Sequence, residues 1–199
     1  MQKVGSQSAA EAAINSLMTH VQASYCHSSL GTSVKLQVEG VKHFAGKTLT
    51  PSGANLEAMY ETTVCNLGSA DLMVYLVYFD PPIGVSYTAG IAYRPAVCRP
   101  PFQKNHIKQS INRFNPNSVS SSAETVAHEI GHNLGMFHDF APQHKDQCDK
   151  TGLMSYGDRP IQWSVCSKND FHAHYLEFKN VWCLESKFIL RKICHKLIH

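Results

Sequence analysis

The stretch HEIGHNLGMFH, residues 128–138, constrains this chain more than any other part of its sequence. Residues four apart on an α-helix lie one turn apart on the same face, so His128 and His132 can direct their imidazoles to one metal ion. Gly135 permits a backbone conformation that ends the helix, and the chain can then bring His138 back to the same ion. Three neutral imidazoles leave a fourth coordination position open, which is typical of a catalytic zinc site.

Glu129 follows the first of these histidines and is rotated away from both helical ligands. Its carboxylate can reach a metal-bound water, which is the position of a general base. The alternative interpretation is a helix with surface or packing histidines, and it is the one we adopt for the other nine of the 12 histidines. For this combination of histidine, glutamate and glycine, chance predicts on the order of one occurrence in five thousand such chains.

Composition limits the classes of protein to which the chain can belong. With 199 residues, of which 43% are hydrophobic and 17% charged, the chain is long enough for one well-buried core and short for two. The net charge of +3 and the lack of a dense basic run with aromatics argue against a nucleic-acid partner. No stretch reaches the ~18 apolar residues that a membrane span needs. The sequence sets no oligomeric state.

Hydrophobic periodicity predicts one α/β domain with a mixed sheet. Amphipathic helices are predicted over residues 8–28 and 51–64, and strands over residues 34–38, 71–79 and 84–93. The continuous apolar run at 71–79 predicts a central strand that is covered on both faces.

The second half of the chain is less periodic. Residues 94–120 are predicted to form a loop that includes at most one short strand. The pattern Ser121-Ser-Ala-Glu124 predicts a capping box at the start of the helix that carries His128 and His132. We expect Ser167 to cap a last helix. The predicted buried stripe of that helix is Phe171, Tyr175, Leu176 and Val181. Residues 184–199 are interpreted as a solvated basic tail after a domain over residues 1–183.

The stretch at 128–138 matches HExxHxxGxxH, the long zinc signature of the metzincin metalloproteases. Met154, in GLMSYGD, resembles the methionine turn of those enzymes, and we interpret it as an apolar floor beneath the imidazoles. Asp139, directly after the third histidine, and CSKNDF at 166–171 resemble the reprolysins, the group that includes ADAM and snake-venom metalloproteases. The resemblance covers about residues 8–183.

This resemblance implies a zincin-like fold, in which a mixed twisted sheet carries an active-site helix and a small C-terminal subdomain holds the methionine turn and the last helix. It implies a zinc-dependent endopeptidase of extracellular proteins, with Glu129 as general base and acid. The implied zinc ligands are His128, His132 and His138. The alternative is a catalytically inactive zinc-binding domain of the same family that serves as a protein-binding module.

The resemblance also implies where a protein or peptide substrate would lie. An extended peptide would add itself to the edge strand at Gly90, Ile91 and Ala92. The segment after the methionine turn, residues 155–164, would shape the pocket for the side chain after the cleaved bond. Tyr156 is interpreted as an oxyanion helper or, alternatively, as a wall residue.

Two departures from the family pattern concern the N-terminus and calcium. Reprolysin domains begin with a strand inside the sheet, and only MQKVGSQ precedes the first helix here. We therefore expect the domain of residues 1–183 to be N-terminally incomplete. The family's calcium site would use a residue of that strand, which leaves calcium uncertain and Asp71 as a remaining candidate ligand.

The seven cysteines include no CxxC pair, which favours structural disulfides in an oxidising compartment and hence a secreted protein. No secretory signal is visible, so we expect that Met1 is not the start of the secreted precursor. The resemblance implies the pairs Cys98–Cys183 and Cys148–Cys166, with Cys26–Cys65 as a third pair. Cys194 is left over, and connectivity is not fixed by sequence alone.

Overall fold

A computed structural model describes residues 7–44, 49–68, 70–78, 84–99, 107–144, 147–155, 161–178 and 189–198, with only the backbone described at 7, 43, 44, 65 and 189–198. One mixed sheet with helices on both sides makes up the fold. The helices are α1 (Gln7–Tyr25), α2 (Gly53–Ala58), α3 (Tyr60–Leu67), α4 (Val119–Asn133) and α5 (Val165–Phe178). The strands are β1 (Lys35–Phe44), β2 (Leu72–Val77), β3 (Gly90–Ala92), β4 (Gln109–Arg113) and β5 (Ile189–Ile198).

The strand order in the sheet is β1-β5-β2-β4-β3. The first four strands in this order are parallel to their neighbours, whereas β3 runs antiparallel to β4. The mixed sheet and the helices agree with the predicted α/β class. β3 is the last strand in the order, so its outer edge is where an extended peptide could pair.

Strand β2 is buried along its whole length, as its apolar sequence predicts. Because side chains alternate between the faces of a strand, its residues divide between two cores. Leu72, Val74 and Leu76 pack in the core beneath α1 and α4. Met73, Tyr75 and Val77 pack on the other face, against Leu56, Met59 and Ile111.

Three predicted elements differ from the structure in extent. The helix predicted over 51–64 is interrupted at Met59 and forms the two short helices α2 and α3. The edge strand predicted over 84–93 is reduced to β3, whose three residues pair with β4. The short strand expected within residues 94–120 is present as β4.

The predicted helix caps are wrong. Helix α4 starts at Val119, so Ser121 lies inside its first turn and does not open it. At the start of α5, Ser164 and not Ser167 is the capping residue, because the backbone N–H of Ser167 donates to Ser164 Oγ at 3.0 Å. A hydroxyl just before the first helical residue is the one that reaches the free N–H groups of the first turn.

The buried stripe predicted for α5 is only partly present. Phe171 is buried and Tyr175 is half-buried against the main core. Leu176 is wrong as a core residue, since it is 57% exposed. Val181 lies outside the described residues.

The C-terminal segment is not the solvated tail that its charge predicts. Residues 189–198 form β5, which pairs in parallel with β1 on one side and with β2 on the other. An internal position of the sheet is thus filled by a strand from the end of the chain. The basic composition of a strand says little about its backbone pairing, which explains the error.

Candidate zinc site and active-site cleft

The three predicted ligands converge in the structure. Nε2 of His138 lies 3.1 Å from Nε2 of His128 and 3.1 Å from Nε2 of His132. Zinc–nitrogen bonds of ~2.0–2.1 Å at tetrahedral angles place ligand nitrogens ~3.3 Å apart. The three side chains can therefore hold one metal ion.

Hydrogen bonds to the opposite ring nitrogens orient the two helical ligands. Nδ1 of His128 donates to the carbonyl oxygen of Leu153 at 2.7 Å, and Nδ1 of His132 donates to that of Met136 at 2.8 Å. With the proton on Nδ1, each Nε2 presents a lone pair. The Nε2 lone pairs of His128 and His132 therefore both point toward Nε2 of His138, an arrangement that a metal cation would bridge.

Gly135 makes the turn that brings in the third ligand. Helix α4 ends at Asn133, and Gly135 has a positive φ of 95°, a conformation that glycine adopts without strain. A Cβ atom there would also lie 2.8 Å from Cβ of His174 on α5. Both constraints explain why the spacing between the second and third ligands requires glycine.

Burial keeps the imidazoles neutral. Desolvation is the main cause that lowers the pKa of His128 to about 4 and that of His132 to about 3. The pKa of His138 is also lowered, chiefly by burial. Neutral imidazole is the form that ligates metal, so the packing of the site favours the ligand form at neutral pH.

Glu129 is buried beside this site but does not belong to the ligand group. Its burial raises its pKa from the ordinary range to about 8. The carboxyl group lies against the edge strand: a Cβ atom at Gly90 would be 2.6 Å from Oε1 of Glu129. The carboxyl group of Glu129, with its raised pKa, therefore contacts the strand predicted to hold substrate.

Met154 lies beneath the active helix, as predicted. It is fully buried, and its Sδ atom would be 3.0 Å from a Cβ atom at Gly131, between the two helical ligands. Trp163 packs at the same point, and its indole N–H donates to the carbonyl of Ser24 at 2.7 Å. Trp163 is therefore a core residue.

Asp139 connects the ligand loop to the C-terminal part of the domain. Its Oδ1 accepts hydrogen bonds from the hydroxyls of Ser164 at 2.5 Å and Ser167 at 3.0 Å. Its backbone N–H donates to the carbonyl of Met154 at 3.1 Å. The sequence located this aspartate but not its two serine partners, which lie 25 and 28 residues away.

A second connection to α5 has no local signal in the sequence. Oδ2 of Asp170 accepts from the backbone N–H of Phe137 at 2.9 Å and lies 3.1 Å from Nε2 of His144. Nδ1 of His144 in turn donates to the carbonyl of His138 at 3.0 Å. His144 is buried, which agrees with its interpretation as a packing histidine.

A cavity of about 530 Å³ opens beside the histidines. Among the residues that the structure describes, those lining the cavity belong to the segment that leads into β3, to one face of α4 and to the methionine turn. The lining residues are Tyr87, Thr88, Ala89, Gly90, Ser121, Glu124, Thr125, His128, Glu129 and Leu153. Of the predicted substrate residues, Gly90 borders this cavity, Ile91 and Ala92 follow it in β3, and Tyr156 lies outside the described residues.

The disulfide predictions have mixed outcomes. Cys148 and Cys166 are bonded, which closes the loop that carries the methionine turn. Cys98 is disulfide-bonded, and its predicted partner Cys183 lies outside the described residues. The pair Cys26–Cys65 is wrong, since Cys26 is a free, exposed thiol that receives hydrogen bonds from Gln22 and Ser33.

Asp71, the candidate calcium ligand, is buried near Lys108. Burial lowers the pKa of Lys108, and the negative charge of Asp71 offsets part of that lowering. In the described ranges Asp71 joins no group of three potential metal-ligating side chains. A further group of this kind, His144, Cys148 and Cys166, contains the disulfide and so offers no thiolate. Across the same ranges, no helix is long and apolar enough to cross a membrane.

Comparisons with known proteins agree with this geometry. Residues 11–139 match the family model described as metallo-peptidase family M12B, reprolysin-like. The chain is 36% identical over 101 residues to the snake venom metalloproteinase trimerelysin-2 of Protobothrops flavoviridis, a match that covers 49% of this chain and 45% of the relative. It is 36% identical over 105 residues to the snake venom metalloproteinase fibrolase of Macrovipera lebetinus, covering 49% and 46%. The chain thus spans less than half the length of these relatives.

Proposed function

Because the chain belongs to the M12B reprolysin-like family of metallopeptidases, we propose that it is a zinc-dependent endopeptidase that hydrolyses peptide bonds of extracellular proteins. The observation that carries this proposal is the pair of 3.1 Å contacts by which His138 Nε2 meets the other two Nε2 atoms. Glu129 stands beside this group without joining it. A purely structural metal site would have no need of that free carboxylate.

The ligands would be His128, His132 and His138. Zinc bound there would lower the pKa of a water ligand toward ~7 and polarise the substrate carbonyl. Glu129 would take the proton from the attacking water and deliver it to the departing amine nitrogen. Burial raises the pKa of this carboxyl group in the metal-free site to about 8. The positive charge of a bound zinc ion would lower that pKa and favour the ionised form that accepts the proton.

Substrate binding would use the free edge of β3. An extended peptide pairing with Gly90–Ala92 would pass directly over Glu129, because Gly90 contacts that carboxyl group. The side chain after the cleaved bond would enter the cavity beside the histidines, which Leu153 of the methionine turn helps to line. Tyr156 stays a proposed oxyanion helper.

A secreted location fits the Cys148–Cys166 disulfide and the venom relatives. We propose zinc as the cofactor.

The test is zinc content and casein hydrolysis of the purified chain, with and without a zinc chelator. We expect about one zinc per chain, and hydrolysis that the chelator abolishes and added zinc restores. Glu129→Gln should keep the zinc and lower kcat by on the order of 10²–10⁴. Bound zinc with no hydrolysis under any condition would favour the inactive binding domain instead.

A further inference from the structure

Polar residues and the acidic Glu124 line the cavity beside the histidines, and their chemistry indicates which substrate side chains the cavity can bind. Glu124 lies one turn before His128 on the same face of α4, so its side chain is about 6 Å farther along the helix. Three residues that carry hydroxyl groups, Tyr87, Thr88 and Ser121, also line the cavity. A pocket for an aliphatic side chain would not need these groups.

The carboxylate of Glu124 is not neutralised by its surroundings. No lysine or arginine is among the residues that the structure shows lining this cavity, and within the described ranges Glu124 has no ion-pair or hydrogen-bond partner. Burial raises the pKa of Glu124 above its ordinary value, as expected for a carboxylate that has lost water without gaining a partner. A cationic group in the cavity would compensate that loss.

A basic residue that borders an adjoining cavity is engaged by Tyr87. Arg113 lines a smaller adjoining cavity of about 120 Å³. Its Nη1 donates to the hydroxyl of Tyr87 at 2.7 Å, and its guanidinium lies 4.9 Å from the centre of the same ring. Tyr87 lines both cavities, so its ring stands where they adjoin.

From this arrangement we infer that Glu124 selects substrates with lysine or arginine directly after the cleaved bond. The inference rests on the proposed peptidase function and names its substrate class. The alkyl stem of such a side chain would pack on Leu153 and Ala89, while its cation would reach Glu124 at the far wall. Glu124 is thus a specificity-determining residue, separate from the proton transfer assigned to Glu129.

The experiment uses the zinc-loaded chain and internally quenched peptides that differ at one position, occupied by Lys, Arg, Leu or Glu, with the cleaved bond identified by mass spectrometry. We expect kcat/KM to be about tenfold higher for Lys and Arg than for Leu. Glu124→Gln should remove this preference, and Glu124→Lys should shift it toward Glu. Glu61→Gln, which removes the same charge from α3 away from the cavity, is the matched control and should preserve it.

A wild-type preference for Leu, or a Lys-to-Leu ratio that Glu124→Gln leaves unchanged, would overturn the inference while the proposed peptidase function stands. If no peptide is cleaved, the peptidase proposal itself fails. The inference is then decided by binding of the same peptides to zinc-loaded Glu129→Gln, measured by fluorescence polarisation. Tighter binding of the Lys peptide that depends on Glu124 would support the inference, and equal binding of the Lys and Leu peptides would overturn it.

Discussion

Gly90 of the edge strand lies directly against the carboxyl group of Glu129, so closely that a Cβ atom at Gly90 would be 2.6 Å from both Cγ and Oε1 of the glutamate. The strand predicted to hold substrate and the residue predicted to move protons are therefore in contact. Any side chain at Gly90 must displace the carboxylate, the strand, or both.

Gly90→Ala should accordingly reduce kcat by about tenfold to a hundredfold, because a displacement of the base by about 1 Å is enough for such a loss. Zinc content should be unchanged, since the three atoms nearest to a Cβ at Gly90 all belong to Glu129 and none to an imidazole. The measurement is casein hydrolysis and metal content on the same preparation. Gly53→Ala is the matched control, because a Cβ atom at Gly53 meets nothing within 4 Å. Equal loss in both variants would mean that contact with Glu129 is not the cause.

The convergence of His128, His132 and His138, with Glu129 beside them, was predictable from sequence because their geometry is local. An offset of four on a helix fixes the relation of His128 to His132, and glycine at the turn fixes the return of His138. The contacts that hold this turn are not local. Asp170 and the serine partners of Asp139 lie on or next to α5, more than 20 residues downstream, and no spacing rule reaches that far.

Glu129→Gln should stabilise the metal-free protein at neutral pH. Burial raises the carboxyl pKa to about 8 in the folded state, whereas the unfolded chain ionises near 4.5. The folded state therefore binds this proton more tightly, and stability that is present below about pH 4.5 is lost as the pH rises toward 8. At 1.36 kcal/mol per pKa unit, glutamine should add about 2–4 kcal/mol at pH 7.5 and almost nothing at pH 4.5.

This difference is measured by urea unfolding of both proteins in the presence of a chelator. Glu61→Gln is the control, since Glu61 lies on α3 away from the site. A gain that persists unchanged at pH 4.5 would point to packing and not to ionisation of Glu129.

Acid should release the metal at a lower pH than free imidazole titrates. Burial lowers the pKa of His128 to about 4 and that of His132 to about 3. Protons should therefore begin to displace zinc only near pH 5, with most of it lost by about pH 4. The measurement is zinc content after rapid desalting across this range, and complete loss already at pH 6 would contradict the burial argument.

The same lowered pKa values predict that acid destabilises the metal-free fold. The unfolded chain takes up protons near pH 6.5, while the folded state resists them until about pH 4, so stability falls as the pH drops through that window. His132→Ala should flatten this dependence. A slope that does not change in the variant would assign the acid sensitivity to other groups.

Sequence patterns predicted the middle of the fold better than its end. The apolar run at 71–79 specifies a strand buried on both faces, and β2 is such a strand. The basic residues of 184–199 gave no comparable signal, because pairing through the backbone does not depend on an apolar side-chain pattern. The result is a sheet whose internal strand β5 comes from the segment predicted to be solvated.

Because β5 lies inside the sheet, we expect its ten residues, Ile189–Ile198, to be essential for the fold. Its backbone pairs with β1 and with β2, and β5 is the only strand that β1 pairs with among the described residues. In a chain that ends at residue 188, β1 would lose its pairing with the sheet and one edge of β2 would become unpaired. Leu72, Val74 and Leu76 of β2 belong to the main core, so this loss would weaken that core. We expect such a chain to lose its cooperative thermal transition and its near-ultraviolet circular dichroism. A chain that ends at residue 198 removes only His199 and should melt like the full chain. If the chain ending at residue 188 keeps the full-length melting temperature and its zinc, then β5 does not hold the sheet together.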